Sequence, residues 1–144
     1  EGIAEVVLHQ LGPMFSEAGV ELRGCQRTRE LLPQAVAAEE ADWGTEFLAP
    51  ILAVRIVKGV DEAIAHINDS PYGLTAVICT SDRDRADRFA TAVNAGTIFM
   101  NRCDYLDPEL AWTGIKNSGM GCSLSAVGFE QLTRLKSFHL KTTT

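Results

Sequence analysis

The sequence predicts an α/β domain in which a mostly parallel sheet is flanked by helices in a three-layer arrangement. Between residues 51 and 100, three short apolar runs rich in β-branched residues alternate with two segments of helical periodicity. A strand–helix–strand–helix–strand order within about 50 residues favours parallel strands joined by right-handed crossovers. The chain has 144 residues. A domain of that size buries roughly 68–70% of its unfolded surface, which is enough for a hydrophobic core.

Each predicted element rests on its own hydrophobic pattern and on the residues that interrupt it. Apolar residues from Ile3 to Phe15 recur at helical spacing, and this helix should end near Gly19. Short apolar or alternating runs predict strands instead. The further expected elements are a strand at 20–24, a helix at 28–32, a loop at 39–42, a strand at 51–57, a helix at 61–68, a strand at 74–80, a helix at 81–93, a strand at 97–100, a loop at 101–124 and a helix at 126–134.

The predicted helix at 81–93 has one apolar face and one charged face. Ser81 is placed to cap it, with Asp84 as the carboxylate three residues later. The opposite face mixes arginines with aspartates, which is typical of a solvated surface. Its inward positions are predicted to be Ala86, Phe89, Ala90 and Val93.

Composition and charge exclude several classes of function. The net charge of −6 argues against a nucleic-acid surface, which needs clustered cations. The sequence contains no apolar run of the roughly 18–20 residues that cross a bilayer, and no recognisable signal peptide. The four cysteines form no CxxC pair, so we expect reduced thiols and a cytoplasmic location. Because the chain begins at Glu1 and not at Met, we expect an excised piece or a trimmed polypeptide.

Three short motifs between residues 68 and 121 resemble one known family. The segment 68–74 is similar to the Asn-x-x-x-Tyr-Gly-Leu segment of aldehyde dehydrogenases. The segment 95–101 resembles their Ala-Gly-Thr-x-x-x-Asn sequence, and 114–121 resembles their Gly-x-Lys-x-Ser-Gly-x-Gly loop. Each motif alone is weakly specific, but three in order with matching spacing identify the region 45–144 with the aldehyde dehydrogenase superfamily.

The first third of the chain resembles a different branch of that superfamily. The stretches 19–24, 42–46 and 51–54 look more like glutamyl-phosphate reductase, also called glutamate-5-semialdehyde dehydrogenase. The chain therefore resembles one branch at its start and another from about Asn68. A divergent natural member and a spliced chimera would both produce this pattern.

The resemblance implies a fold, a reaction and a division into parts. It implies that residues 1–135 are a fragment of the aldehyde dehydrogenase catalytic domain and that 136–144 form its C-terminal oligomerisation strand. The whole enzyme would use NAD or NADP to oxidise an aldehyde, or to reduce an acyl phosphate, through a cysteine thiohemiacetal. In the family, the nucleophilic cysteine and the cofactor domain precede this region. We therefore expect no catalytic residue here, no cofactor bound by this chain alone, and no activity of the chain by itself.

Residues that would border the cofactor and the substrate follow from the same resemblance. By this resemblance, Glu46 aligns with the glutamate that binds the nicotinamide ribose. A carboxylate suits that role because it accepts two hydrogen bonds from a vicinal diol. Leu48 replaces the phenylalanine that packs near the cofactor. The loop after Asn101 would form one wall of the channel for a small aldehyde. Its wall positions are Cys103, Asp104, Tyr105, Leu106 and Trp112.

The other polar residues of this region are predicted to have no catalytic or metal-binding role. Cys103 has no legible histidine partner, so it is not predicted to be a nucleophile, and no spacing of Cys and His residues predicts a metal site. Lys116 and Ser118 lie in a glycine-rich loop and are predicted to support the site structurally.

The chain end predicts an association surface. The segment Ser137 to Thr144 resembles the family's C-terminal strand, which pairs with a neighbouring subunit. This strand implies a homo-oligomer. From composition and charge, we expect neither membrane nor nucleic-acid partners. Two further interpretations stay open: a stand-alone structural module that self-associates through this strand, and an engineered recombinant of related halves.

Overall fold

The computed structural model describes residues 2–142, which cluster into two compact units. The first unit comprises Glu1–Pro71 and Thr91–Val93, and the second comprises Tyr72–Ala90 and Asn94–Thr144, of which Glu1, Thr143 and Thr144 are not described. Among residues 2–142, no helix is both long enough and apolar enough to cross a membrane.

The first unit contains a small parallel sheet and three α-helices. Its strands have the spatial order β2–β1–β3, and β1 is parallel to both neighbours. Leu22 of the central strand lies opposite Leu52 of the third. The elements of this unit are α1 (Ala4–Glu17), β1 (Glu21–Gly24), α2 (Gln26–Leu31), β2 (Val36–Ala37), a 3₁₀ helix (Glu40–Gly44), β3 (Ile51–Val54) and α3 (Val60–Asp69).

One hydrophobic cluster holds α1 and α2 against this sheet. Its buried members are Leu8, Leu22, Leu32 and Ala35. Thr28, which is fully buried, satisfies its hydroxyl by donating to the carbonyl oxygen of Val54 at 3.0 Å. A Cβ on Gly24 would lie 2.8 Å from the Thr28 methyl group, so only glycine allows α2 to approach the strand this closely.

The second unit is built around two parallel strands joined by a helix. Strand β5 pairs with β6 over four residues, from Thr75 opposite Thr97 to Ile78 opposite Met100. Two short antiparallel pairs, β4 with β8 and β7 with β9, complete its sheets. The elements are β4 (Tyr72–Gly73), β5 (Thr75–Ile78), α4 (Arg83–Ala92), β6 (Thr97–Met100), β7 (Trp112–Thr113), β8 (Ile115–Lys116), β9 (Cys122–Ser123) and α5 (Ser125–Leu132).

The α/β class is confirmed, while the sheet arrangement differs from the prediction. The parallel pair β5–β6 with α4 as its crossover is the expected unit. The strand at 51–54, however, pairs with β1, so the parallel strands form two sheets and not one. Hydrophobic runs identify strands, but strand pairing depends on segments that are distant in sequence.

Several local predictions need correction. The cap of α4 is Asp82, whose Oδ1 accepts from the amide of Arg85 at 3.0 Å, and not Ser81. Ala90 is exposed, unlike Ala86, Phe89 and Val93. The expected loop at 39–42 is largely a 3₁₀ helix. The expected loop at 101–124 contains three strands of two residues each. Short elements of this kind carry too few residues for a periodic signal.

Candidate functional site

An apolar cavity of about 190 Å³ lies in the second unit. It is bordered by β6, by the loop that follows it, by β7 and by the residue before α5. Aromatic and aliphatic side chains form most of its wall. The lining residues are Thr97, Phe99, Arg102, Tyr105, Leu106, Asp107, Leu110, Ala111, Trp112 and Leu124.

The side chain of Asn101 fixes the start of the loop that forms this wall. Its Oδ1 accepts from the amide of Thr80 at 2.8 Å, and its Nδ2 donates to the Thr80 carbonyl at 2.8 Å. Asn101 itself has φ 57, a left-handed conformation that asparagine tolerates better than most residues. The chain therefore turns sharply after β6 while remaining tied to the end of β5.

Backbone hydrogen bonds close the other end of the loop. Leu110 donates to the carbonyl of Asp107 at 3.1 Å, which makes a tight turn, and Ser125 donates to the carbonyl of Pro108 at 2.9 Å. The Asp107 side chain also accepts from the amide of Glu109 at 2.9 Å. The loop is thus anchored at both ends, so its apolar side chains face one shared space.

Strand β7 reaches the cavity because Gly96 has no side chain. A Cβ at Gly96 would collide with the carbonyl oxygen of Thr113. This close approach places Trp112 among the lining residues, together with Phe99 of β6. Glycine in the Ala-Gly-Thr motif is therefore required by backbone contact in this structure.

The charged groups near the cavity are largely compensated. The Nε of Arg102 lies 3.2 Å from Oδ1 of Asp104, and its guanidinium lies 5.1 Å from the centre of the Tyr105 ring.

The buried hydroxyl of Thr97 has no hydrogen-bond partner among residues 2–142. An unpaired buried group of this kind costs about 1–3 kcal/mol unless a ligand or a water molecule hydrogen-bonds to it.

The structure brings together three of the five residues predicted to contact substrate. Tyr105, Leu106 and Trp112 line the cavity, whereas Cys103 and Asp104 are exposed and lie outside its lining. Phe99 also lines the cavity but was not predicted from the sequence, although alternation along β6 puts it on the same side as Thr97. The other lining residues that were not predicted lie in irregular segments, where no periodic signal exists: Arg102, Asp107, Leu110 and Leu124.

The two residues predicted to contact a cofactor lie in the first unit. Glu46 is exposed and makes no hydrogen bond or ion pair within residues 2–142. Leu48 is 89% exposed and has φ 51. An unengaged carboxylate fits a ribose diol, so Glu46 suits one contact to a nicotinamide nucleotide. Because Leu48 is exposed, it does not form a pocket wall for the rest of the nicotinamide nucleotide.

The glycine-rich loop at 114–121 acts as a structural tie. The hydroxyl of Ser118 accepts from the amide of Gly73 at 3.0 Å, and β8 pairs with β4 beside it. A Cβ on Gly114 would lie 2.9 Å from the carbonyl oxygen of Ser118. This geometry agrees with the supporting role predicted for Ser118.

The thiols and histidines form no additional centre in the described part of the chain. All four cysteines are free, and both Cys79 and Cys103 are exposed. Within residues 2–142, no group of three or more His, Cys, Asp or Glu side chains could hold a metal ion.

Comparison with known proteins adds independent information. A sequence model described as "Aldehyde dehydrogenase family" matches residues 32–138. A gamma-glutamyl phosphate reductase of Carboxydothermus hydrogenoformans is 48% identical over 101 residues, which are 70% of this chain and 24% of that protein. This chain therefore spans about a quarter of the length of that relative.

Solved structures from both branches resemble the fold. The gamma-glutamyl phosphate reductase of Thermotoga maritima matches with a TM-score of 0.67 and 40% identity, over 70% of this chain and 24% of that one. The indole-3-acetaldehyde dehydrogenase AldA of P. syringae, in complex with NAD+ and IAA, matches with a TM-score of 0.63 and 36% identity. The latter match covers 68% of this chain and 20% of that one.

The reductase similarity extends beyond the first third of the chain. A match of 101 residues leaves at most 43 of the 144 outside it, so it includes residues 44–101. The change of resemblance expected at about Asn68 is therefore not a sharp boundary.

Proposed function

Because this chain belongs to the aldehyde dehydrogenase family, we propose that it is part of an NAD(P)-dependent oxidoreductase and supplies one wall of its aldehyde channel. The observation that carries this proposal is the apolar cavity between β6, the loop at 101–111 and β7. A preformed apolar recess with few polar groups is the usual form of a small-molecule site. The match to the gamma-glutamyl phosphate reductase covers only 24% of that protein, which supports a role for this chain as one part of a larger enzyme.

The lining favours aldehyde oxidation over acyl-phosphate reduction. Arg102, the cation in this lining, pairs with Asp104, so this wall by itself offers no unpaired cation to a phosphate group. The side chains of Phe99, Leu110 and Leu124 instead suit the hydrocarbon part of an apolar aldehyde. The proposed reaction therefore differs from the one that names the reductase relatives.

Each residue has a limited task in this proposal. Tyr105, Leu106 and Trp112 bind the hydrocarbon part and exclude water, while Glu46 accepts hydrogen bonds from the nicotinamide ribose. The bound nicotinamide supplies hydride acceptance. The thiol nucleophile is assigned to another part of the enzyme, and Cys103 and Asp104 are assigned to the channel rim. The four free thiols support a reducing, cytoplasmic location.

Binding of unreactive substrate analogues tests the assignment of the cavity. We expect phenylacetamide to perturb the amide resonances of Tyr105, Leu106 and Trp112 in the labelled chain, and 3-phosphonopropionate to leave them unchanged. Leu106→Asn should weaken binding of phenylacetamide at least about tenfold, since it puts an amide into the apolar wall. Trp43→Phe, in the other unit, is the matched control. Preferential binding of the phosphonate at these residues would support acyl-phosphate reduction instead.

A turnover assay tests the division of labour. The purified 144-residue chain should show no NAD- or NADP-dependent oxidation of propanal and no turnover of glutamate semialdehyde, because no nucleophile is assigned to it. Robust turnover that disappears in Cys103→Ala would refute the assignment of this cysteine to the rim.

A second candidate function is self-association as a structural module. Exposed apolar side chains on α5 and on the segment that follows it favour this candidate. They are Phe129, Leu132, Leu135, Phe138 and Leu140. Apolar surface of this extent commonly marks a protein interface.

A further inference from the structure

A second cavity, of about 270 Å³, lies in the first unit and is polar. It is bordered by the 3₁₀ helix, by the segment after β3 and by the end of α3. The residues that carry chemistry there are Glu40, Trp43, Arg55, His66, Asp69 and Ser70. Its volume lies below the roughly 300–1,000 Å³ of sites for drug-sized ligands, so it suits a small metabolite.

Arg55 is held in place at this cavity without an acidic partner. Its guanidinium lies 5.6 Å from the centre of the Trp43 ring, and its Nη1 lies 3.2 Å from Nδ1 of His66. Within residues 2–142 it forms no ion pair. Trp43 and His66 therefore orient the Arg55 side chain, and its charge remains available to a ligand. Because the side chain is already oriented, ligand binding would cost less conformational entropy.

The imidazole of His66 accepts a hydrogen bond from Arg55 and therefore presents an unprotonated Nδ1 to it. Burial, followed by the charge of Arg55, lowers the pKa of His66, and Asp69, Glu40 and Glu62 offset this only in part. Because arginine can only donate, Nδ1 accepts the Arg55 hydrogen bond and Nε2 carries the proton. Trp43 packs edge-on against this ring at 5.4 Å and restrains it.

Two carboxylates line the same cavity as the guanidinium. Glu40 comes from the 3₁₀ helix and Asp69 from the last residue of α3. Neither carboxylate forms an ion pair or accepts a hydrogen bond within the described part of the chain. The lining thus offers one unpaired cation and two unpaired anions around half-buried Trp43 and His66.

We propose that this cavity binds a small zwitterion of the α-amino acid class, with the carboxylate on Arg55 and the ammonium group on Glu40 and Asp69. Opposite charges separated by one carbon match a lining that carries charges of both signs. A simple anion would meet two carboxylates, and a simple cation would meet the guanidinium. Trp43 and His66 would border the ligand's carbon atoms.

The site is separate in chemistry from the apolar cavity of the second unit. It uses none of the residues assigned to the aldehyde channel, and the proposal does not depend on the oxidoreductase assignment.

The test is a titration of the isotope-labelled 144-residue chain with three probes followed by NMR. Glycine should shift the indole N–H of Trp43 and the Nε–H of Arg55 in a saturable manner at millimolar concentration. Acetate carries only the carboxylate and methylammonium only the cation. Each should bind at least about tenfold more weakly than glycine, a difference of about 1.4 kcal/mol.

Variants separate the contributions of the two sides. Arg55→Gln should weaken glycine binding at least about tenfold, and so should Glu40→Gln combined with Asp69→Asn. Arg85→Gln, on the exposed face of α4, removes an equal charge elsewhere and should leave binding unchanged. Well-dispersed spectra establish that each variant is folded.

Three outcomes would overturn the proposal. The first is that glycine leaves both resonances unshifted up to about 100 mM, well above the millimolar range expected for so small a ligand. Acetate binding as tightly as glycine would make this an anion site only. If Arg55→Gln bound glycine as tightly as the parent chain does, Arg55 would not be the contact for the ligand's carboxylate.

Discussion

Asp42 is a buried carboxyl group of the first unit with one charged partner and one backbone partner. Its Oδ1 lies 2.8 Å from Nη1 of Arg23, and its Oδ2 accepts from the backbone amide of Glu39 at 2.9 Å. Arg23 also pairs with Glu21 and lies 5.0 Å from the centre of the Phe47 ring. These contacts connect β1 to the segment that carries Glu46, so Asp42 contributes to the position of the proposed ribose contact.

The same contacts predict a pH dependence. The Glu39 amide and then Arg23 lower the pKa of Asp42, although burial opposes them. A carboxyl whose folded-state pKa is depressed contributes stability above its unfolded pKa of about 3.9, and the contribution is lost as pH falls through the folded value. Asp42→Asn should therefore lower the free energy of unfolding at neutral pH, with a deficit that shrinks below about pH 4.

Urea unfolding at several pH values between about 7 and 3 measures this difference. Asp84→Asn is a suitable control because Asp84 is exposed and forms no ion pair within residues 2–142. A deficit for Asp42→Asn that stays constant over the whole range would contradict the assignment.

The five predicted wall residues do not all lie together in the structure. Tyr105, Leu106 and Trp112 share one cavity. Cys103 and Asp104 are exposed and lie outside its lining, because neighbouring loop positions point in different directions. Their contact with substrate stays a prediction. The cap of α4 was misplaced by one residue because Ser81 and Asp82 both have suitable side chains.

At the scale of elements, the contact between Gly96 and β7 controls the cavity. Gly96→Ala would place a methyl group on the carbonyl oxygen of Thr113, so β7 and Trp112 must shift. We expect a loss of about 1–3 kcal/mol or more in the free energy of unfolding, together with weaker binding of phenylacetamide.

Gly59→Ala provides the control for this prediction. A Cβ there meets nothing within 4 Å, and Gly59 has extended backbone. Its expected loss is below about 1 kcal/mol, from the weaker helix cap that alanine makes. Chemical denaturation of both variants gives the comparison. Equal losses for the two would show that close approach of β7 is not required.

The described C-terminal segment has no helix or strand. Residues 133–142 are exposed throughout, and Leu135 is 98% exposed. Thr143 and Thr144, the end of the predicted oligomerisation strand, lie outside the described residues. A strand that pairs only with a neighbouring subunit would lack hydrogen-bonded partners in a single chain, so the boundary at 135/136 and the strand stay predictions.

Association of the whole molecule is testable through this segment. We expect the chain to form oligomers in light scattering, and deletion of residues 137–144 to shift it towards the monomer, because apolar surface on the segment loses its partner. Phe138→Glu with Leu140→Glu should act like the deletion, since charges on an edge strand oppose pairing. A monomeric parent chain, or an unchanged oligomer after deletion, would contradict both the strand and the module hypothesis.

The order and type of the main elements followed from the sequence by itself, because helical and strand periodicity are properties of neighbouring residues. The same holds for the superfamily, whose short motifs lie at fixed distances along the chain. Only the tertiary structure decided that the parallel strands form two sheets and that Phe99, Leu110 and Leu124 share a cavity with Trp112. These arrangements depend on contacts between backbone segments that are distant in sequence, such as Gly96 with Thr113. Such contacts leave no pattern among neighbouring residues, so the sequence alone does not predict them.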